Sequence, residues 1–332
     1  MKLLLAGATG LVGREMLKVL EERNLIPHFE NIMLCASPRS KGLRMESKWG
    51  STEIMTLEEG LTSMPDYALF SARGEISKLW APRFAQQNCT VIDNSSAWRM
   101  EPGIPLVVPE INADTMGNNK LIANPNCSTI QLVMVLKPLH EIATIRRVVV
   151  STYQSVSGTG KEAMQQLWDE RAGLPTHAVY PHPIDLNCIP QCDIFMDNGY
   201  TREEMKVIQE SRKILNLPHL SITATAVRVP VTGGHSESVN IEFHQPVSPQ
   251  EVREALAMMP GVVVLDDPNT FTYPMPRNAA GKDEVFVGRI RKDESIPNGI
   301  QLWITADNLR KGAATNAVQI LQYLLKQNHG IA

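Results

Sequence analysis

The run Asn124-Pro125-Asn126-Cys127-Ser128-Thr129-Ile130-Gln131 places a cysteine where a helix is expected to begin. Pro125 breaks the chain, and the apolar spacing predicts a helix over about Ser128–Leu136. A thiol there meets the positive end of the helix dipole, which favours the thiolate and so a nucleophile. Free cysteines are more often buried and inert, so the context carries this reading rather than the residue type. Cys35, Cys89, Cys188 and Cys192 lack that context. His235 follows Arg228-Val229-Pro230-Val231 within Gly233-Gly234-His235-Ser236-Glu237-Ser238. A histidine of this kind can serve a cysteine nucleophile as acid and base, although isolated histidines are commonly structural.

Gly7-Ala8-Thr9-Gly10-Leu11-Val12-Gly13 sits between an expected strand and an expected helix. That is the setting of a dinucleotide loop, whose glycines let backbone amides approach a pyrophosphate at a helix N-terminus. The spacing is a variant of the usual fingerprint, and the bland alternative is a tight turn. The second strand leads into Ser37-Pro38-Arg39-Ser40-Lys41-Gly42, which has no acid and carries two cations. A carboxylate at this point would select the ribose hydroxyl of NAD, whereas Arg39 suits a 2′-phosphate, so the segment points to NADP. A solvated basic loop is the competing reading.

These residues need a scaffold, and the chain is long enough for about two domains. It has 332 residues, 43% hydrophobic and 20% charged, with a net charge of −3. That balance is globular and gives no electrostatic reason to expect a nucleic-acid or anionic-membrane binder. No apolar stretch approaches the roughly 18 residues of a membrane span. Five cysteines in a chain of this size read as reduced thiols in the cytoplasm, and no metal site is expected at Cys188 and Cys192.

The first third alternates buried strands with helices: Lys2–Ala6, Leu11–Arg23, Ile32–Ala36, Tyr67–Ala72, a helix over about Ile76–Gln87, then Thr90–Ile92. This predicts a parallel sheet covered on both faces. Farther on, Arg147–Tyr153, Ser221–Val231, Val239–Phe243, Val285–Ile290 and Gln301–Thr305 read as strands of a mixed sheet. One long helix, about Arg202–Leu215, interrupts them, and Gly312–Gln327 closes the chain as an amphipathic helix. The expected fold class is α/β: a Rossmann-type dinucleotide-binding domain plus an α+β domain with a mixed sheet.

Longer motifs narrow the reading. They are N-P-N-C-S-T-I-Q around Cys127, T-Y-Q-S-V-S-G-T-G-K ending at Lys161, N-C-I-P-Q from Asn187 and F-M-D-N-G-Y-T-R-E-E-M-K ending at Lys206. R-V-P-V with G-H-S-E-S-V around His235, and A-D-N-L-R-K-G-A-A-T-N-A from Ala306, complete the set. Together they resemble the bacterial aspartate-semialdehyde dehydrogenases over nearly the whole chain. Only about Ala163–Pro183 matches poorly, and no role is assigned there.

The resemblance implies a role for each matching residue. Cys127 is the nucleophile that forms an acyl-thioester, His235 the acid/base residue, and Gln154 the residue that orients the substrate. Arg228 would bind the substrate α-carboxylate, Glu203 its ammonium, and Lys206 and Arg99 its phosphate. On the bland reading, Glu203 and Lys206 are a surface ion pair one helical turn apart. Cofactor contacts are expected at Gly7, Thr9, Gly10, Leu11, Val12, Ser37, Arg39, Ser40, Ser157, Gly158 and Asn308. The implied activity is NADPH-dependent reductive dephosphorylation of aspartyl phosphate to the semialdehyde, in lysine, threonine, methionine and isoleucine biosynthesis. Implied too are a cytoplasmic homodimer and domains at 1–126 with the C-terminal 308–332, and at 127–307. An N-acetyl-glutamyl-phosphate-type reductase would need no acid for a free amino group, so Glu203 argues against it. A catalytically inactive relative kept as a binding protein is the alternative of another class, and the presence of Cys127, Gln154, Arg228 and His235 argues against that.

Overall fold

The computed structural model describes residues 1–331. The chain forms two compact units: Met1–Pro125 together with the chain from Ala313 onward, and Asn126–Gly312.

In chain order the first unit holds β1 (Lys2–Ala6), α1 (Leu11–Glu22), β2 (Asn31–Cys35), β3 (Arg44–Ser47), β4 (Gly50–Met55) and α2 (Leu57–Thr62). Then come β5 (Tyr67–Phe70), α3 (Gly74–Gln86), β6 (Thr90–Asp93), α4 (Pro109–Asn112) and β7 (Leu121–Ala123). The strands lie in the order β3-β4-β2-β1-β5-β6-β7, all parallel except β3, which pairs antiparallel with β4. The β3–β4 hairpin, α2 and β7 were not anticipated from the sequence. The hairpin is short, polar and half-exposed at the sheet edge, so it carries little hydrophobic pattern.

Leu3, Leu4, Leu5 and Ala6 are all fully buried, as a strand covered on both faces requires. The chain leaves β1 for β2 on one side and later returns to β5 on the other. The carboxyl ends of β1 and its neighbours are therefore a topological switch point, the usual ligand crevice of such sheets.

The second unit begins with α5 (Cys127–Ile142), then β8 (Ile145–Gln154), α6 (Lys161–Arg171), α7 (Arg202–Ile214), β9 (Ser221–Arg228) and β10 (His235–Phe243). It continues through α8 (Pro249–Met258), β11 (Val262–Val264), α9 (Pro276–Ala279), β12 (Val285–Asp293) and β13 (Gly299–Ala306). The sheet order is β11-β12-β13-β10-β8-β9, with parallel pairs at both edges and antiparallel pairs between them. Val148, Val150, Thr152 and Gln154 alternate along β8 toward its buried face.

Several element bounds differ from the sequence reading. α5 runs on to Ile142 with Pro138 inside it. β9 stops at Arg228, ahead of Pro230, which cannot donate to a ladder. β10 starts at His235 rather than Val239. α6 and α8 also lie among these strands, where α7 alone was expected. The chain ends with α10 (Thr315–His329), three residues later than expected, because Arg310–Ala314 forms a wider π-type turn first. Ala317, Val318, Leu321, Leu324 and Leu325 of α10 join Leu3, Leu5, Met16 and Leu20 in one buried cluster, so the C-terminus completes the first unit's core. No helix among the described residues is long and apolar enough to cross a membrane.

Candidate active site

Cys127 is the first residue of α5 and is half-buried. The residue before it is the cap: Asn126 Oδ1 accepts from the backbone N–H of Ser128 at 3.0 Å and of Thr129 at 3.2 Å. Asn126 is in turn locked to α7, donating from Nδ2 to Glu203 Oε1 at 2.8 Å and from its backbone to Glu210 Oε2 at 2.7 Å. Gln154, at the end of β8, donates from Nε2 to Ser128 Oγ at 3.0 Å and to Glu203 Oε1 at 3.2 Å. Gly312 packs on Cys127, where a Cβ would sit 2.9 Å from Cys127 Cβ.

His235 is fully buried at the start of β10. Its Nδ1 accepts from the Ser155 backbone N–H at 3.1 Å, which leaves the ring proton on Nε2. Nε2 itself is buried without a hydrogen-bond partner. Burial first, and then the Arg228 guanidinium, push His235 down to about 3. The ring is therefore neutral at physiological pH. Asn308 holds the surrounding loops, accepting at Oδ1 from Gly234 N and Ser155 Oγ, both at 3.0 Å, and donating to Ser157 Oγ at 3.0 Å. Gly158 lies over both key side chains, since a Cβ there would be 3.1 Å from an Arg228 terminal nitrogen and 3.2 Å from His235 Nε2.

Glu203 is buried, and burial alone would raise its pKa. The Lys206 ammonium, with hydrogen bonds from Asn126, Lys206 and Gln154, outweighs that and holds the carboxyl at about 2. Lys206 bonds Glu203 Oε2 at 3.1 Å and Asp193 Oδ2 at 2.8 Å, and these carboxylates overcome its burial and raise it above its ordinary value. The pair is largely buried, unlike the surface pair of the bland reading, with side-chain exposures of 20% for Lys206 and 9% for Glu203.

The structure thus gathers Cys127, Gln154, Glu203, Lys206, Arg228, His235, Ser157, Gly158 and Asn308 within the second unit. Arg99 and the glycine loop belong to the first. Arg99 is buried and donates to the carbonyls of Asn94 and Asn124, each at 3.0 Å, just beyond the carboxyl ends of β6 and β7.

In the glycine loop, Gly7 has φ +80°, and its amide and that of Ala8 donate to Cys35 O at the end of β2. A Cβ on Gly13 would collide with the Gly7 carbonyl, so this glycine permits close packing of helix on strand. Gly10 caps α1 with no side-chain hydrogen bond, while Thr9, Leu11 and Val12 flank it. With glycine at the cap and no side-chain cap on α1, the loop fits a pyrophosphate at the helix N-terminus. Ser37, Arg39 and Ser40 sit on a short turn after β2, where Arg39 is exposed. Lys41, the second cation of this segment, is instead paired with Glu59 of α2.

Asn126, Ser128, Ser155 and Glu210 were not assigned roles from the sequence. Asn126 carried a signal, since Asn before a helical run is a preferred N-cap. Glu210 carried none, because its contact spans 84 positions.

A Rossmann-type unit followed by a mixed-sheet unit with a cysteine at a helix start defines a dinucleotide-dependent oxidoreductase class. Two family models match in that order: "Semialdehyde dehydrogenase, NAD binding domain" over residues 2–119, and "Semialdehyde dehydrogenase, dimerisation domain" over residues 136–311. The aspartate-semialdehyde dehydrogenase of Aquifex aeolicus is 50% identical, covering 97% of both chains. That of Legionella pneumophila is 47% identical over 97% of this chain and 95% of its own. Aspartate semialdehyde dehydrogenase II of Vibrio cholerae, solved in complex with ASA, superposes with TM-score 0.93 at 43% identity, covering 99% of this chain and 98% of that one. The Candida albicans enzyme, solved with NADP, gives TM-score 0.76 at 25% identity over 98% of each chain. The chain belongs to the aspartate-semialdehyde dehydrogenase family. It is an oxidoreductase of amino-acid biosynthesis that binds a nicotinamide dinucleotide, and not an inactive binding relative.

Proposed function

We propose that the reaction runs through an aspartyl thioester on Cys127, with NADP as the preferred cofactor. The observation that carries this is the continuous hydrogen-bonded chain Ser128–Gln154–Glu203–Asn126, which locks the start of the nucleophile helix to the charged groups an amino-acid substrate needs. The Cys127 sulfur attacks the acyl phosphate of aspartyl phosphate; the carbon–sulfur bond forms, the bond to phosphate breaks, and inorganic phosphate leaves. When bound, the reduced nicotinamide supplies hydride to the thioester carbonyl. The carbon–sulfur bond then breaks, releasing semialdehyde and thiolate.

The chain's own groups orient and neutralise. Arg228 offers its remaining N–H groups to the α-carboxylate as a planar fork. Glu203 already accepts three hydrogen bonds and keeps one lone pair on Oε2 for the ammonium. Lys206 keeps its third N–H for phosphate. His235 stands in the tautomer that gives a proton from Nε2, which suits donation to the tetrahedral oxygen. Taking the thiol proton at Nε2 requires the other tautomer, with Nδ1–H directed to Ser155 Oγ, 3.2 Å away.

The NADP structure of the Candida relative and the exposed Arg39 support the cofactor choice. The dimerisation-domain match supports a homodimer, checked by sedimentation, and the free cysteines suit the reducing cytoplasm. The test is purified protein with aspartate semialdehyde, phosphate and NADP, followed at the reduced-nicotinamide absorbance. Cys127→Ser should lose several orders of magnitude in turnover while remaining folded, because a hydroxyl is a far weaker nucleophile than a thiolate. A tenth of the activity left in Cys127→Ala would exclude the thioester route.

A further inference from the structure

The segment 163–183, to which the sequence reading gives no role, is tied by hydrogen bonds to the surroundings of Arg228. Buried Gln166 of α6 accepts at Oε1 from the backbone N–H of Val179 at 2.7 Å and of Tyr180 at 3.1 Å. Glu170, one turn on, receives Gln166 Nε2 at 2.7 Å on one oxygen and the amides of Ile184 and Asp185, each at 2.8 Å, on the other. Arg171 bonds Asp185 at 2.9 Å. Gln166 and Glu170, one turn apart on α6, therefore fix the backbone on both sides of Tyr180. The Tyr180 side chain packs against a small apolar cluster that includes Val156 and Leu167.

This arrangement sets the Tyr180 ring 5.8 Å from the Arg228 guanidinium carbon, within cation–π range, and its hydroxyl donates to Thr159 Oγ1 at 2.9 Å. Arg228 is otherwise held by one hydrogen bond, from a terminal nitrogen to Ser155 O at 2.7 Å, while its Nε is buried without a partner. One such bond does not by itself fix the plane of the fork. Burial raises the Tyr180 phenol above its ordinary value, so a neutral ring faces the cation.

We propose that Tyr180 is a substrate-positioning residue that closes one side of the Arg228 guanidinium and fixes the plane in which it receives the substrate's α-carboxylate. The inference rests on the assignment of Arg228 to that carboxylate. Tyr180 acts through Arg228, so it governs affinity for the amino-acid substrate and not the chemistry at Cys127 or the binding of cofactor.

The test is steady-state kinetics of the full chain in the phosphorylating direction, with Tyr180→Leu, Tyr180→Phe and Arg228→Lys beside the parent. Tyr180→Leu should raise KM for aspartate semialdehyde about five- to thirty-fold, the range of a partly desolvated cation–π contact. Its kcat and its KM for NADP should stay within about two-fold of the parent. Tyr180→Phe keeps the ring face and should recover most of the loss. An unchanged KM in Tyr180→Leu, or Tyr180→Phe as impaired as Tyr180→Leu, overturns the proposal. Arg228→Lys separates the two ideas: a normal KM there removes the carboxylate assignment itself, whereas a severe defect there with a normal Tyr180→Leu removes only the role of Tyr180.

Discussion

At the scale of single residues, the site is a set of charges held in stated protonation states by their neighbours. Glu203 shows the balance most clearly. Burial would neutralise it, yet one ammonium and hydrogen bonds from two amide side chains keep it ionised at about 2. The same burial acts on His235 with opposite consequence, since no partner accepts from Nε2 and the ring stays neutral. With its pKa near 3, His235 should not titrate between pH 5 and 8 in the free enzyme. Its imidazole C–H resonance, followed by NMR across that range, should stay at the neutral position, and a midpoint near 6.5 would contradict this. The linkage has a definite sign. Below about pH 6.5 the unfolded histidine takes up a proton that the folded one refuses. His235 therefore costs stability as pH falls from about 6.5 toward 3, and has no effect above that range.

At the scale of elements, α5 and β10 each open with a residue of the candidate site and bury a second polar residue beyond it. Cys127 and His235 begin the two elements, and Gln131 and Glu237 follow one turn and two residues later. Glu237 is fully buried between β8 and β13, opposite Thr152 and Ile304 in register, and neither carboxyl oxygen has a partner within hydrogen-bond distance. Burial raises its pKa well above the ordinary carboxylate value. The folded chain thus keeps a proton that the unfolded chain releases above about pH 4.5, so stability falls as pH rises from there toward the raised value. Glu237→Gln removes that slope with little change of shape. Its melting temperature should rise relative to the parent's as pH increases above about 4.5. Parallel pH dependence of the two melting curves would show Glu237 to be ionised in place.

At the scale of the whole molecule, the first unit is assembled from both ends of the chain, and its cofactor preference depends on residues from separate elements. The turn after β2 carries two cations in sequence, but α2 folds back and Glu59 occupies Lys41 while also bonding Thr56. Arg39 is left as the exposed cation of this turn, and on the proposed reading it takes the 2′-phosphate. Arg39→Ala should raise KM for NADP about ten-fold or more and leave KM for NAD within about two-fold, since a charge-assisted pair is lost only with the phosphorylated ribose. Equal effects on both cofactors would place the phosphate contact elsewhere.

The glycine loop, the apolar β1 run, the Cys127 context and the amphipathic face of α10 were legible in the sequence. Each is a local pattern, set by backbone freedom, periodicity or a helix start. The partners of those residues were not legible. That Glu59 would neutralise Lys41, that Glu210 would anchor the cap before Cys127, that Ser155 would choose the tautomer of His235, and that Tyr180 would face Arg228 all depend on contacts between distant positions. Where such a contact is buried it offsets the desolvation of a charge or an N–H, about 1–3 kcal/mol for a group left unpaired, and its partner can come from anywhere the chain passes. Residue types and local spacing thus determined which groups are available for chemistry, and the tertiary structure alone decided which are charged, which are held, and by what.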